Sequence, residues 1–74
     1  MKMKTLWLNR EIYTEASVRK ALEAYADYSD IAVVSLENNW QLIFHNSRYG
    51  DELTAKEFEN YLIDAVHAEG KRLV

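Results

Sequence analysis

Chemistry in this chain would have to come from few side chains. Its two histidines, His45 and His67, lie 22 positions apart. His67 follows Asp64 by three positions in "NYLIDAVHAE", a spacing that brings two side chains together on a helix. Such a pair could move a proton if it were oriented in a pocket, or form half of a metal site. The surrounding stripe argues otherwise. Phe58, Leu62 and Ala65 point inward on the same helix, which puts Asp64 and His67 on a solvated flank, and a cation in a helix's last turns is favoured by the dipole alone. Ser47 follows His45 in "HNS", yet no elbow glycines or oxyanion donors accompany them. Gly50 and Gly70 stand alone, so there is no phosphate-cradling loop, and no zinc-ligand spacing occurs. With no cysteine, disulfides, thiolate sites and redox motifs are excluded. The residues therefore predict no catalytic group, no cofactor and no metal. A small enzyme or ligand-binding domain is the alternative, and it would use His45 or His67.

Composition narrows the class. Seventy-four residues, with no proline and two glycines, predict a single domain over 1–74 without a linker. The net charge is −3 and the basic residues are scattered, which argues against a nucleic-acid partner. In "MKMKTLWLNREIY" the apolar run is only Leu6, Trp7 and Leu8. A secretory core needs roughly 7–15 apolar residues and a membrane-spanning helix about 20. The expectation is a cytoplasmic protein with no membrane partner.

The local signals then place the elements. Residues 3–9 read as a strand. Thr14 is a good helix N-cap, with Glu15 in the first turn and Tyr13 and Val18 at the positions of a hydrophobic staple. Val18, Ala21, Leu22 and Tyr25, with Tyr28 beyond, keep the spacing of a buried helical stripe. "DIAVVSLENNWQLIFHNS" reads as a hairpin turning at Asn38–Asn39, because asparagine tolerates the positive φ of a primed two-residue turn. That register sets Val33 against Phe44, Ser35 against Leu42 and Glu37 against Trp40. A second helix is expected from the capping box Thr54-Ala55-Lys56-Glu57, stapled by Leu53 and Phe58 and ending near Gly70. The fold class is α+β: a two-layer β-α-β-β-α sandwich with a three-stranded sheet and two helices on one face.

Two helices cover one sheet face, yet both faces read as apolar. One hairpin side carries Ile31, Val33, Trp40, Leu42 and Phe44, and the other Ala32, Val34, Leu36 and Ile43. Strand one has Leu6 and Leu8 on one side and Met3 and Trp7 on the other. A large apolar face left wet marks an interaction surface. Interface candidates are Trp7, Val33, Trp40, Leu42 and Phe44. The expected partner is a second copy in a homodimer, or a protein or peptide, including a strand added at an exposed edge. Aromatics on neighbouring strands, Trp7 with Trp40 or Phe44, also raise the alternative of single-stranded nucleic acid stacked on the sheet.

"NREIYTEASVRKAL" and "FENYLIDAVHAE" together resemble the small D protein of the bacterial His-Xaa-Ser peptide-maturation systems. In that family the last helix carries a pattern similar to F-x-N-x-L-L-D-x-x-L-R-E. This chain matches it at Phe58, Asn60, Leu62, Asp64 and Glu69, with Ile63 conservative, and departs at His67 and Ala68. The resemblance implies an accessory or recognition component of a radical-SAM cassette that modifies a peptide. It points to Asn60, Asp64 and Glu69 as the motif positions to test. The repeat that names the system belongs to its substrate, so "HNS" here is coincidental.

Overall fold

A computed structural model describes residues 3–68. The elements run β1 (Lys4–Asn9), α1 (Glu15–Tyr25), β2 (Asp30–Ser35), β3 (Asn39–His45) and α2 (Asp51–Ala68). The strands form one sheet in the order β1-β3-β2, each antiparallel to its neighbour. β1 and β2 therefore run in the same direction with β3 between them, the split arrangement that a right-handed β1-α1-β2 crossover requires. The α+β architecture expected from the sequence is the one observed.

α1 begins where its cap signal places it. Thr14 is extended, and its hydroxyl accepts the Ser17 N–H at 3.2 Å. Val18 and Ala21 are buried, and Tyr13, Leu22 and Tyr25 pack against them. The Tyr25 carbonyl then accepts the N–H groups of Tyr28 at 3.0 Å and Ser29 at 3.2 Å, closing the helix. An exposed Arg19–Glu15 pair at 2.9 Å adds an i,i+4 contact worth a few tenths of a kcal/mol.

Two local expectations are corrected. The hairpin turns at Glu37–Asn38, with the Leu36 N–H donating to the Asn39 carbonyl at 2.9 Å, so Val33 faces Leu42 and Ser35 faces Trp40. Neither turn residue has a positive φ, so this is not a primed turn. Contacts with Arg10 from outside the hairpin hold it. The Asn38 carbonyl accepts the Arg10 N–H, and the Arg10 guanidinium donates to the Leu36 carbonyl. The two-residue slip leaves every side chain on its expected face, because the strand repeat is also two.

α2 starts a turn earlier than the capping box predicts. Thr54 lies inside the helix and is buried, its N–H bonded to the Gly50 carbonyl, while Leu53 is exposed. Gly50 takes φ +97°, a conformation that costs glycine little, and turns the chain into the helix. The Asp51 carboxylate accepts the Ser47 N–H at 3.1 Å, and Asp51 and Glu52 suit the positive end of the helix dipole. Phe58 and Leu62 are buried as expected, with Val66 a turn further on, while Ala65 is half-buried. The predicted end at Gly70 lies outside the described residues.

The central strand decides which sheet face is covered. Along β3, Trp40, Leu42 and Phe44 are buried, while Gln41, Ile43 and His45 between them are only half-buried. With Leu8, Val18, Ala21, Ala55, Phe58 and Leu62 they make the core, where Phe44 and Phe58 meet edge-to-face at 5.2 Å. Three interface candidates are therefore corrected: Trp40, Leu42 and Phe44 are interior residues under the helices. Trp40 is fastened on both sides, with its Nε1–H donating to the Tyr13 carbonyl at 3.2 Å and Arg10 lying 4.1 Å over its ring.

Candidate interaction surface

Residues that alternate with the core strand positions form the open face, and the register orders them into rows. Thr5, Ile43 and Ala32 stand abreast, and Trp7, Gln41 and Val34 make the next row. Asn9 and Asn39 follow, with Leu36 beside them. Trp7 is 57% exposed and Val34 39%. Across these strand positions the one formally charged side chain is Asp30, at a corner, where the Asn46 amide donates to it at 3.1 Å. In a chain 28% charged, a sheet face with its charge confined to one corner is an unusual thing to leave in water.

β2 is the most exposed strand, and on both of its faces. Val33 points to the helix side yet is 41% exposed, because α2 packs over β1 and β3 and does not reach this edge. A groove of about 460 Å3 opens at the start of this strand, where Leu22, Ala26, Ile31 and Ala32 meet the polar Ser29, Asp30 and His45. The opposite edge differs. There, Glu52, Lys56 and Glu59 of α2 join Lys4 and Trp7 around a shallow groove beside β1. Edge strands are commonly guarded by charge, and here β1 is guarded while Ile31–Val34 of β2 is not.

The residues that suggested chemistry do not converge. Asp64 and His67 are both exposed on α2, and among the described residues the one ion pair is Arg19–Glu15. His45 lies at the far end of β3, opposite Asp30, with its Nδ1 shielded from solvent and without a protein partner. Ser29 and Ser47 do meet, hydroxyl to hydroxyl at 2.7 Å, but Ser29 Oγ reaches the backbone carbonyl of His45 and not its ring. Among the described residues no three acidic or histidine side chains gather to hold a metal, and no helix is long and apolar enough to cross a membrane. Trp7 and the pair Trp40 and Phe44 occupy opposite faces, so the aromatic platform that suggested base stacking is not assembled.

The motif on α2 divides in two. Phe58 and Leu62 are wholly buried, so packing alone accounts for them, while Asn60 and Asp64 are exposed four positions apart on the outer side. Glu69 lies outside the described residues.

One cluster escaped the sequence reading. Tyr25, Tyr28, Tyr49 and Tyr61, four of the five tyrosines, meet at the seam of α1 and α2. Tyr25 sits at the centre, 6.1 Å from Tyr28, 5.8 Å from Tyr61 and 5.5 Å from Phe58, and Tyr28 is 6.1 Å from Tyr49. Its hydroxyl donates to the Glu57 carbonyl at 3.2 Å. Burial, followed by the Glu57 carboxylate and the neighbouring Tyr61 and Tyr28, pushes the Tyr25 hydroxyl above its usual value near 10. A sequence signal existed in the Tyr-x-x-Tyr step of residues 25–28, but the arrival of Tyr49 and Tyr61 is a product of tertiary packing.

No protein-family model, no curated protein and no solved structure matches this chain.

Proposed function

We propose that this protein is a non-enzymatic interaction module whose open sheet face binds a second copy of itself. The observation that carries the reading is the composition of that face: Trp7, Ala32, Val34, Leu36 and Ile43 around a central amide, with charge only at the Asp30 corner. Three strands of six or seven residues, about 4.8 Å apart and rising roughly 3.3 Å per residue, give a face of ~15 by ~20 Å. That is small beside the roughly 800 Å2 per partner of a standard interface, so the dimer dissociates on dilution at micromolar concentrations or above. In the cellular setting implied by the resemblance, such a module serves as a cytoplasmic accessory of a peptide-modifying cassette. Asn60 and Asp64 then present a second, outward surface on α2.

The exposure of β2 on both faces supports one further version, a strand added at its free edge. Two charge insertions separate the versions in sedimentation equilibrium. Trp7→Lys abolishes a face-to-face dimer and spares an edge-paired one. Val33→Lys, on the other side of β2, does the reverse. A dimer indifferent to both substitutions would refute each version.

A further inference from the structure

The tyrosine cleft lies on the helix side of the molecule, away from the open sheet face, and has the features of a small-ligand site. Its volume is about 460 Å3, within the range of ligand pockets. Two of its rings come from loops and two from helices, and Tyr49 is 63% exposed, far beyond what packing requires. Among the residues lining it, Glu57 is the one that carries a charge. Beside it, α1 ends at Tyr25 with its negative dipole end uncompensated by any basic residue in its last turn. The first turn of α2 carries Asp51 and Glu52, which offset that helix's positive end. Aromatic faces are themselves electronegative and attract cations, and Tyr28 already holds Arg48 at 6.0 Å outside the cleft walls.

We propose that the cleft between α1 and α2 binds an alkylammonium cation, with the faces of Tyr28, Tyr49 and Tyr61 around it and Glu57 as its counter-charge. A methylated ammonium fits better than a primary one, because it loses little hydration and spreads its charge over methyl groups that meet the rings. The same head group can come from a free choline-type molecule or from a methylated lysine on a peptide.

NMR titration of the intact protein tests this, read on the tyrosine ring signals. Choline, N-acetyl-trimethyllysine amide and the neutral choline isostere 3,3-dimethylbutan-1-ol serve as probes. The two cations give saturable shifts with a dissociation constant on the order of 1 mM, and the isostere gives none. Tighter binding of the trimethyllysine probe assigns a peptide source, and tighter choline binding a free one. Tyr49→Ala and Glu57→Gln each weaken binding about five-fold or more, and the Glu57→Gln effect shrinks with added salt. Both positions are exposed, and the Tyr25 hydroxyl bonds the backbone of Glu57, so both variants keep the wild-type amide spectrum. Absence of saturable shifts with either cation overturns the proposal. So does equal binding of the isostere, or wild-type affinity in both variants.

Discussion

The same three strands make two surfaces of opposite fate. On the covered side, Leu8, Trp40, Leu42 and Phe44 are buried to within a few per cent. On the open side Trp7, Val34 and Leu36 stand substantially in water. On the two outer strands hydropathy does not separate them, since both sides are apolar. Polarity along the central strand does: β3 places Trp40, Leu42 and Phe44 on one side and Gln41, Ile43 and His45, two of them polar, on the other. Helices that can cover one face settle on the side that removes more apolar area from water, at roughly 25 cal/mol per Å2. The face left over still carries Trp7, Val34, Leu36 and Ile43, and it is the face proposed to bind a second copy. A function can thus reside in what the core does not use.

The largest effect that can test this contrast is a truncation on the covered side. Phe44→Ala opens a cavity where Phe58 packs, and should cost about 3–5 kcal/mol in chemical denaturation. In a domain of this size that is most of the stability. A loss below about 1 kcal/mol would mean that the two faces are not energetically distinct. Thr14→Ala comes next, removing the hydroxyl that receives the Ser17 N–H, at about 1 kcal/mol. It calibrates local against tertiary contributions.

Tyr25 supplies a pH test on the helix side. Its raised value in the fold means that the native state holds the proton more tightly than the unfolded chain. Stability is therefore intact below about pH 10, and it declines as pH rises from there through the elevated folded value. Tyr25→Phe should flatten that alkaline decline, and an unchanged slope would remove Tyr25 as its origin. The smallest effect belongs to the open face. Trp7→Thr should move monomer stability by no more than about 0.5 kcal/mol.

The order of elements and the start of α1 could be read directly, because caps and helical stripes are local. The alternation of β3 is present in the sequence except at Ile43, which is apolar on the polar side. β2 masks it, because its Ala32, Val33 and Val34 are apolar on both sides at an uncovered edge. Trp7 reads from the sequence as one set with Val33, Trp40, Leu42 and Phe44, and the structure splits that set, because a central β3 takes Trp40, Leu42 and Phe44 into the core and leaves Trp7 on the opposite face. The turn at Glu37–Asn38 and the early start of α2 depend on Arg10, Asp51 and Gly50, contacts that short motifs do not encode. The tyrosine cleft was the least legible feature. Its rings come from three separate places in the chain, residues 25–28, 49 and 61, and meet only when α1 lies against α2.

The most direct test of the open-face claim is the absolute mass in solution across a dilution series, with iodide quenching of tryptophan emission recorded on the same samples. Trp40 is buried in every state, so changes in quenching report Trp7. A face-to-face dimer gives a mass falling from two copies towards one as the quenchable fraction rises in step. A single-copy mass at all concentrations, or a dimer whose Trp7 remains as quenchable as in the monomer, would contradict it.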